Sequence, residues 1–216
     1  MEGYHPYPPK HLNLSDFTPN LLSETTILGT FAAASIVLFC LTWFLSGLSS
    51  KTTKFEKLVI FWMTFNGLVH LTLEFYLVFK PEFYKDKTGS ILAEIWKLYS
   101  KSDSRYLSLD STTIALEGIS IFILGPANLL AAYATTTQKS YRYPLQLSVS
   151  LGDLYGFVIY VMTAFLGGES FSASPYYFYV YFIGFNSPWV FVPLLIIIRS
   201  WRKICKLEGT NKRKLH

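Results

Sequence analysis

The stretch FWMTFNGLVHLTLEFYLVF, residues Phe61–Phe79, is almost continuously apolar and aromatic, yet it carries His70 and Glu74. Because these two residues are four positions apart, they lie on one face of a helix, one turn from each other. Asn66 lies one further turn back on the same face. Ionisable groups inside an apolar span are costly and usually face a protein interior or a cavity. The stretch therefore predicts a membrane-spanning helix with a functional polar face.

The composition of the whole chain is that of a polytopic membrane protein. Of its 216 residues, 51% are hydrophobic and 18% are aromatic, and the mean hydropathy of +0.31 is too high for an ordinary soluble domain. The net charge of +5 gathers in short connecting loops and at the C-terminal end, which reflects membrane topology rather than nucleic-acid binding. Cys40 and Cys205 are far apart and indicate neither a disulfide framework nor a zinc site.

The apolar stretches predict an all-α fold with five transmembrane helices around an intramembrane ligand cavity. A polar N-terminal segment, 1–24, precedes a single membrane domain, 25–200, and a basic cytosolic tail, 201–216, follows it. Gly125-Pro126 is expected to kink the third span. In the longest connection, residues 91–99 are expected to form a short amphipathic helix, either at the membrane interface or as a surface cap. The five predicted spans are about 25–48, 58–79, 111–133, 143–165 and 176–198.

Five spans put the two termini on opposite sides of the membrane. The loops 49–57 and 136–142 and the C-terminal end from Arg199 onward together hold twelve Lys and Arg residues, against seven on the other side. This excess of positive charge predicts a cytosolic C-terminus. Lys212 and Lys214 lie five and three places from the end, a spacing that resembles a dilysine retrieval signal for the endoplasmic reticulum. A basic stop-transfer tail is the alternative.

Polar groups recur in four of the five predicted spans. The second, third and fourth spans contribute the carboxylates of Glu74, Glu117 and Asp153, and the fifth contributes the amide of Asn186. An unpaired charge at mid-bilayer costs about 3 kcal/mol, so the least costly arrangement points these groups into one shared cavity. Each also admits a structural role: His70 and Glu74 as an interhelical pair, Glu117 as a protonated packing residue, Asp153 as a group near the lipid headgroups, and Asn186 and Trp189 as interhelical contacts.

Such a cavity suits proton transfer. A buried carboxyl can act as an acid near neutral pH, an imidazole beside a carboxylate can pass a proton on, and the π face of Trp189 can stabilise a cation. The sequence has no nucleophile elbow, phosphate loop, metal cluster or nucleotide fingerprint. These features favour a redox-neutral isomerisation of a membrane lipid through a carbocation, without a cofactor. Proton-coupled transport uses the same residue types and is the alternative.

Six segments occur in a distinctive order: HPYPPKHLNL, GLVHLTLEFYLVF, IWKLYSKSDSRY, ALEGIS, LGDLYG and FNSPWV. Together they resemble the emopamil-binding protein family, the sterol Δ8–Δ7 isomerases of the wider EXPERA group, and particularly its plant members. The resemblance covers about residues 4–206. It implies a five-helix fold in the endoplasmic reticulum membrane, a sterol or triterpenoid substrate and no cofactor. Cationic amphiphilic amines are then the expected inhibitors. Membrane lipid is expected to surround the protein, and two copies of the chain can form a homodimer.

The same resemblance assigns the site. Members of the family move a ring double bond by protonating one alkene carbon and removing a proton from a nearby one. Carried over to this sequence, Glu117 and the His70–Glu74 pair divide the acid and base roles, Asn186 and Ser120 orient them, and Trp189 stabilises the positive charge. The expected catalytic residues are His70, Glu74, Glu117, Asp153 and Asn186, and the expected substrate-binding residues are Ser120, Tyr106, Tyr155 and Trp189.

Three positions depart from the family pattern: Leu98 stands where a glutamate is usual, Ser102 where a glycine is usual, and Asp153 where a glutamine is usual. Plant relatives in limonoid and quassinoid pathways open an epoxide of a triterpenoid, shift a methyl group and lose a proton. An added carboxylic acid suits epoxide protonation, so we expect a specialised triterpenoid isomerase similar to the melianol oxide isomerases. The alternatives are a housekeeping Δ8–Δ7 sterol isomerase and a non-catalytic sterol- or amine-binding membrane protein. A transporter would be expected to have paired inverted repeats, which the sequence lacks.

Overall fold

The computed structural model describes residues 5–48, 52–168 and 170–214, with residues from 207 onward in backbone only. Within these ranges the regular structure is entirely helical. Of the six main helices in these ranges, five are long and apolar enough to cross a membrane, and the short helix Ile91–Tyr99 is the exception. The predicted all-α polytopic membrane protein is therefore confirmed. The helices are α1 Glu24–Gly47, α2 Lys54–Phe79, α3 Ile91–Tyr99, α4 Ser111–Thr136, α5 Arg142–Leu166 and α6 Tyr177–Lys206.

The predicted spans and the observed helices differ mainly at their ends. α2 begins at Lys54 rather than near residue 58, because Thr53 and Glu56 cap it reciprocally. The Glu56 N–H donates to Thr53 Oγ1, and the Thr53 N–H donates to Glu56 Oε2. The basic end of the chain is also helical. The second part of α6 belongs to the helix Pro188–Lys214, which extends past Lys206. The side chains of the predicted retrieval signal, Lys212 and Lys214, lie outside the described part of the chain.

Three of the long helices change to π-helical geometry within the bundle. The π-helical segments are His70–Glu74 in α2, Ser120–Leu124 in α4 and Tyr177–Phe185 in α6. The segment in α4 comes directly before Gly125-Pro126, where the sequence predicts a kink, and the Gly125 N–H donates to the Ser120 carbonyl across the wider turn. Short π-helical segments are frequent at functional sites, and two of these three carry residues predicted for the site.

The helices contact one another in the order α1, α2, α4, α5, α6. α2 and α4 approach closely beside His70, where each helix has a glycine at the contact. A Cβ atom at Gly67 would lie 2.9 Å from Leu129 Cδ2, and one at Gly125 would lie 3.1 Å from His70 Cβ. Small residues bring the two backbones together, and they hold His70 against α4.

α1 is the most exposed of the spanning helices. Only 6% of its most apolar window is buried inside the protein, against at least 22% for each of the others. The reason is that α1 packs mainly on α2 and leaves its remaining surface to the surrounding lipid. α1 therefore forms a thin outer wall rather than part of the core.

The N-terminal segment and α3 together cover one end of the bundle. The Glu94 carboxylate of α3 accepts hydrogen bonds from the N–H groups of Leu21 and Leu22 at 2.8 and 3.0 Å. It also forms a fully buried ion pair with Lys97, at 3.1 Å, and the Tyr7 hydroxyl donates to the Lys97 carbonyl at 3.0 Å. Five of the nine residues of α3 are buried, so α3 is packed into the protein as a cap.

The charge state of Glu94 follows from these contacts. Burial by itself raises the pKa of Glu94, but hydrogen bonds from Leu22, Asn20 and Lys97 outweigh burial and lower the pKa below its usual value. The carboxylate is therefore the stable form at neutral pH, and it fastens the N-terminal segment to the cap.

Candidate active site

A cavity of about 940 Å³ lies between the helices, bounded at one end by α3. This volume is within the usual range for a small-molecule site. Most of the wall is apolar or aromatic, and all five spanning helices contribute to it. The wall includes all nine residues predicted for the site: His70, Glu74, Tyr106, Glu117, Ser120, Asp153, Tyr155, Asn186 and Trp189.

His70 and Glu74 form a pair on the π-helical segment of α2. His70 Nδ1 lies 2.7 Å from Glu74 Oε2, and both side chains are largely buried. The spacing of four residues predicts that the two side chains share one face of the helix, and their contact shows that they do. Because this contact fixes the orientation of the imidazole ring, Nε2 is directed away from Glu74.

Asp153 of α5 faces the other side of the His70 ring. Its Oδ1 lies 3.8 Å from His70 Nε2, which is an ion-pair distance. Asn66 Nδ2 donates to Asp153 Oδ2 at 3.0 Å, and Asn128 Nδ2 donates to Asp153 Oδ1 at 3.3 Å. The imidazole therefore stands between two carboxylates, one from its own helix and one from α5.

Trp189 connects this network to α6. Its Nε1 donates to Asn66 Oδ1 at 2.8 Å, and its ring packs edge to face against Trp62, with 5.4 Å between the ring centroids. The indole also lines the cavity. Its position is compatible both with a π face for a cation and with the interhelical contact that the sequence left as an alternative.

Glu117 of α4 forms a second polar cluster in the cavity. The Tyr106 hydroxyl donates to Glu117 Oε1 at 2.9 Å, and the carboxyl of Glu117 also contacts that of Glu74. Two carboxyl groups in contact in a buried site repel each other when both are charged, so the pair is suited to hold a proton for transfer. Glu74 is thus linked to His70 on one side and to Glu117 on the other.

The loop before α4 fixes Tyr106 in place. Asp103 is fully buried and accepts hydrogen bonds from Arg105 Nε at 3.0 Å and Nη2 at 2.6 Å. Arg105 Nη1 donates to Thr163 Oγ1 of α5 at 3.0 Å. The Tyr106 ring packs against Trp96 of α3, with 4.9 Å between the centroids. These contacts join the loop to α3 and α5. They hold the Tyr106 phenol against the carboxyl group of Glu117.

The remaining predicted residues lie elsewhere on the cavity wall. Asn186 Nδ2 donates to the Tyr99 hydroxyl at 2.7 Å and to the Phe182 carbonyl at 2.8 Å, so it connects α6 to α3. Ser120 lines the cavity on the π-helical segment of α4. Tyr155 is at the edge of the cavity and 70% exposed, so the structure does not bring it into the polar network.

Sequence reasoning misses part of this network. It places Asn66 on the face of His70 without including it in the site, and it leaves out Asn128 and Tyr99. The signal for Asn128 is present, because an amide in an apolar span is as unusual there as Asn186 is in the fifth span. Tyr99 is one of 15 tyrosines in the chain and lies in a polar connection, where nothing in the sequence distinguishes it.

The wall of the cavity carries more acidic than basic groups. Three carboxyl groups and one imidazole line it, and among the described residues no Lys or Arg does. Acidic side chains on the wall therefore outnumber basic ones by three to one. In the described part of the chain, no three His, Cys, Asp or Glu side chains are grouped as ligands for a metal ion. The arrangement can move protons and stabilise a positive charge.

Comparison with known proteins identifies a family and several relatives of similar length. The model of the EXPERA family, the expanded EBP superfamily, matches residues 91–200. That range contains α3, α4, α5 and most of α6, and with them Glu117, Asp153 and Asn186. His70 and Glu74 precede it.

The relatives match this chain over nearly its whole length. A probable 3-beta-hydroxysteroid-Delta(8),Delta(7)-isomerase of Arabidopsis thaliana is 47% identical over 201 residues, which are 93% of this chain and 89% of the relative. A protoglabretal synthase of Ailanthus altissima is 44% identical over 216 residues, which are 98% of this chain and 99% of the relative. An isomeliandiol synthase of Melia azedarach is 42% identical over 205 residues, covering 93% and 95%.

Proposed function

This chain belongs to the EXPERA family, and from that premise we propose that it is a membrane isomerase acting on a sterol or triterpenoid skeleton. It protonates an alkene or an epoxide, stabilises the resulting carbocation and removes a proton elsewhere on the skeleton. The name of the Arabidopsis relative supports a fused-ring substrate and a double-bond shift. The names of the protoglabretal and isomeliandiol synthases support a second class of product for proteins of this length and sequence.

The observation that carries the proposal is the excess of carboxyl groups over basic groups on the wall of an otherwise apolar cavity. One unit of negative charge at roughly 5 Å, with an effective dielectric constant of about 20, stabilises a cation by about 3 kcal/mol. This is on the order of a hundredfold in rate if the charge acts mainly on the transition state. A neutral ring system gains nothing comparable before it is protonated. The cavity therefore favours the cationic intermediate over the bound substrate.

We assign the proton transfers to the two linked pairs of groups. The proton shared by Glu117 and Glu74 passes to one alkene carbon or to the epoxide oxygen, which leaves a carbocation. A C–H bond next to the cationic carbon then breaks, and its electron pair forms the new double bond. The released proton returns to the carboxyl groups through the His70–Glu74 pair, so the protein ends each turnover unchanged. Ser120, Trp189, Tyr106 and Tyr155 contact the substrate, and Asn186 acts from the α3 side of the cavity, where it donates to the Tyr99 hydroxyl.

Within this class we favour a specialised triterpenoid isomerase of limonoid-type biosynthesis. Epoxide opening followed by a methyl shift moves the positive charge across the ring system, and a second carboxylate beside His70 supports that longer-lived cation. The alternative is a housekeeping Δ8–Δ7 sterol isomerase, or cholestenol Δ-isomerase, which the 47% identity with the Arabidopsis relative favours. A non-catalytic sterol- or amine-binding protein is the second alternative, but it would have little use for two linked carboxyl groups.

We further propose the setting in which the enzyme works. It resides in the endoplasmic reticulum membrane with its C-terminus in the cytosol, as the distribution of Lys and Arg predicts. Cationic amphiphilic amines inhibit it because they resemble the carbocation in charge and shape. Its surroundings are membrane lipid, and a homodimer is a further proposal.

Expression in yeast that lacks its own Δ8–Δ7 isomerase tests the proposal. Sterols are analysed with and without a supplied epoxidised triterpenoid, and the Glu117→Gln and His70→Ala variants serve as inactive controls. A rearranged triterpenoid without rescue of Δ7 sterols supports the specialised enzyme, and restored Δ7 sterols support the housekeeping one. If neither product forms although the protein is in the membrane, the isomerase proposal is wrong and the binding protein is favoured.

A further inference from the structure

Two asparagine amides surround the carboxylate of Asp153, and neither has a role in the reaction as proposed above. Asn66 belongs to α2 and Asn128 to α4, while Asp153 belongs to α5. All three side chains are buried, and the two asparagines are 0% exposed. Buried polar groups of this kind are worth most when each hydrogen bond is satisfied.

The orientation of the Asn66 amide is fixed by Trp189. An indole N–H can only donate a hydrogen bond, so the atom of Asn66 that it meets, at 2.8 Å, is the carbonyl oxygen. The amide nitrogen of Asn66 then faces Asp153, where it donates to Oδ2 at 3.0 Å.

The orientation of the Asn128 amide is fixed by its own helix. The Leu124 carbonyl can only accept, and it lies 3.0 Å from Asn128 Nδ2. The second N–H of the same nitrogen faces Asp153, 3.3 Å from Oδ1. Each amide is therefore directed by a partner that can play one role only, and both present donors to the carboxylate. Two donors favour the ionised form of a carboxyl group over the protonated form.

We propose that Asn66 and Asn128 are positioning residues that hold Asp153 as an anion against His70 and so add its negative charge to the carbocation site. The inference rests on the proposed function. It makes Asp153 an electrostatic partner of the imidazole rather than a donor of the reacting proton. It also leaves the proton donation to Glu117 and Glu74, of which Glu74 contacts the opposite nitrogen of the His70 ring.

An exchange of two side chains tests the inference. Asp153→Asn removes the charge, Asn66→Asp removes the donor but keeps an oxygen for Trp189, and the double variant restores the hydrogen bond with the charge moved to α2. Two quantities are measured in purified protein: kcat and KM with the substrate found in yeast, and thermal unfolding. A third is the affinity for a steroidal tertiary amine relative to its neutral carbon isostere.

We expect Asp153→Asn to lower kcat at least tenfold with little change in KM, and to reduce the preference for the amine about tenfold. Asn66→Asp places two carboxyl groups in contact and lowers Tm. The double variant regains Tm but neither kcat nor the amine preference. If it regains all three, the position of the charge against His70 is irrelevant and the inference is overturned. The inference is equally overturned if Asp153→Asn leaves kcat and the amine preference unchanged.

A control variant separates this effect from a general loss of buried polar contacts. Thr135 of α4 is fully buried and accepts a hydrogen bond from Gln146 Nε2 at 2.7 Å. Thr135→Val should lower Tm while kcat and the amine preference stay at the wild-type values. If the wild-type protein turns over no sterol or triterpenoid, the proposed function is wrong. The amine preference still tests Asp153, because equal affinity of the wild type for both ligands contradicts a held anion.

Discussion

Glu117 contacts two groups that differ in what they can supply to a reaction. Tyr106 donates a hydrogen bond to one of its oxygens at 2.9 Å, and Glu74 contacts its carboxyl group and can share a proton with it. An amide at position 117 would keep the oxygen that Tyr106 needs but would have no acidic proton. At this position, hydrogen bonding and acid–base chemistry can therefore be separated by a single substitution.

We expect Glu117→Gln to lower kcat at least a hundredfold, because general acid–base catalysis contributes about 10²–10⁴ in rate. The variant should still insert into membranes and unfold near the wild-type temperature, which fluorescence-detected chromatography and thermal unfolding in detergent would check. Tyr106→Phe is the matched control, since it removes one hydrogen bond and should cost only about fivefold. A Glu117→Gln enzyme as active as Tyr106→Phe would remove Glu117 from the mechanism.

At this scale the sequence predicts which side chains face the cavity but not how they are connected. Helical spacing is enough to place His70 and Glu74 on one face, and the cost of burying charge is enough to direct Glu117 and Asp153 inward. The contact between Asp153 and Asn128 depends on the relative rotation and height of two helices, which a single sequence does not specify. The same holds for the contact between Asn186 and Tyr99, which joins parts of the chain 87 residues apart.

Among the helices, the contact between α2 and α4 has the most direct consequence for the site. A Cβ atom at Gly67 would lie 2.9 Å from Leu129 Cγ and Cδ2 and 3.0 Å from the Gly125 carbonyl. A methyl group there has to push the two helices apart, and overpacking of this kind typically costs about 1–3 kcal/mol. His70 is one turn further along α2 and would move with the helix.

We expect Gly67→Ala to lower both Tm and kcat, although it lies outside the set of reacting groups. Thermal unfolding and turnover of the purified variant would show this. Gly29→Ala in α1 is the control, because a Cβ atom at Gly29 has no neighbour within 4 Å, and alanine is a better helix former than glycine. An unchanged Gly67→Ala enzyme would show that α2 and α4 can separate without disturbing the imidazole.

The helices themselves were largely predictable, since long apolar runs have few alternatives in a membrane. The ends were less so, because the start of α2 depends on the reciprocal cap of Thr53 and Glu56 inside a basic loop. The π-helical segments were not predicted. At Gly125-Pro126 the sequence indicates a break in the helix, but it does not indicate that the preceding turn widens to π geometry.

For the molecule as a whole, the cap of α3 and the N-terminal segment depends on one buried carboxylate. Hydrogen bonds lower the pKa of Glu94 below its usual value despite burial. A lowered pKa in the folded state stabilises the fold above the ordinary pKa of the group. This contribution is lost as the pH falls through the lowered value. The cap should therefore be weakest in acid.

We expect Glu94→Gln to destabilise the protein by about 3 kcal/mol at neutral pH, because it leaves Lys97 buried without its counter-charge. The difference in Tm from wild type should begin to shrink below about pH 4, where the carboxyl takes up a proton in the unfolded chain, and should vanish only below the lowered pKa of the folded state. Unfolding measured from pH 7 down to pH 3 tests both statements. Glu82→Gln, at an exposed ion pair with Lys85, should change little at any pH. A constant difference across this range would mean that charge at Glu94 is irrelevant.

The fastening of Leu21 and Leu22 onto Glu94 has a practical consequence for anyone attaching a reporter to this enzyme. We expect a fluorescent protein joined at the N-terminal end to disturb these contacts and to lower activity in cells without any change in the reacting groups. A fusion at the C-terminal end leaves these contacts intact but covers the proposed retrieval signal of Lys212 and Lys214. Imaging and activity measurements on both fusions would then separate the effect of a disturbed cap from the effect of a blocked retrieval signal.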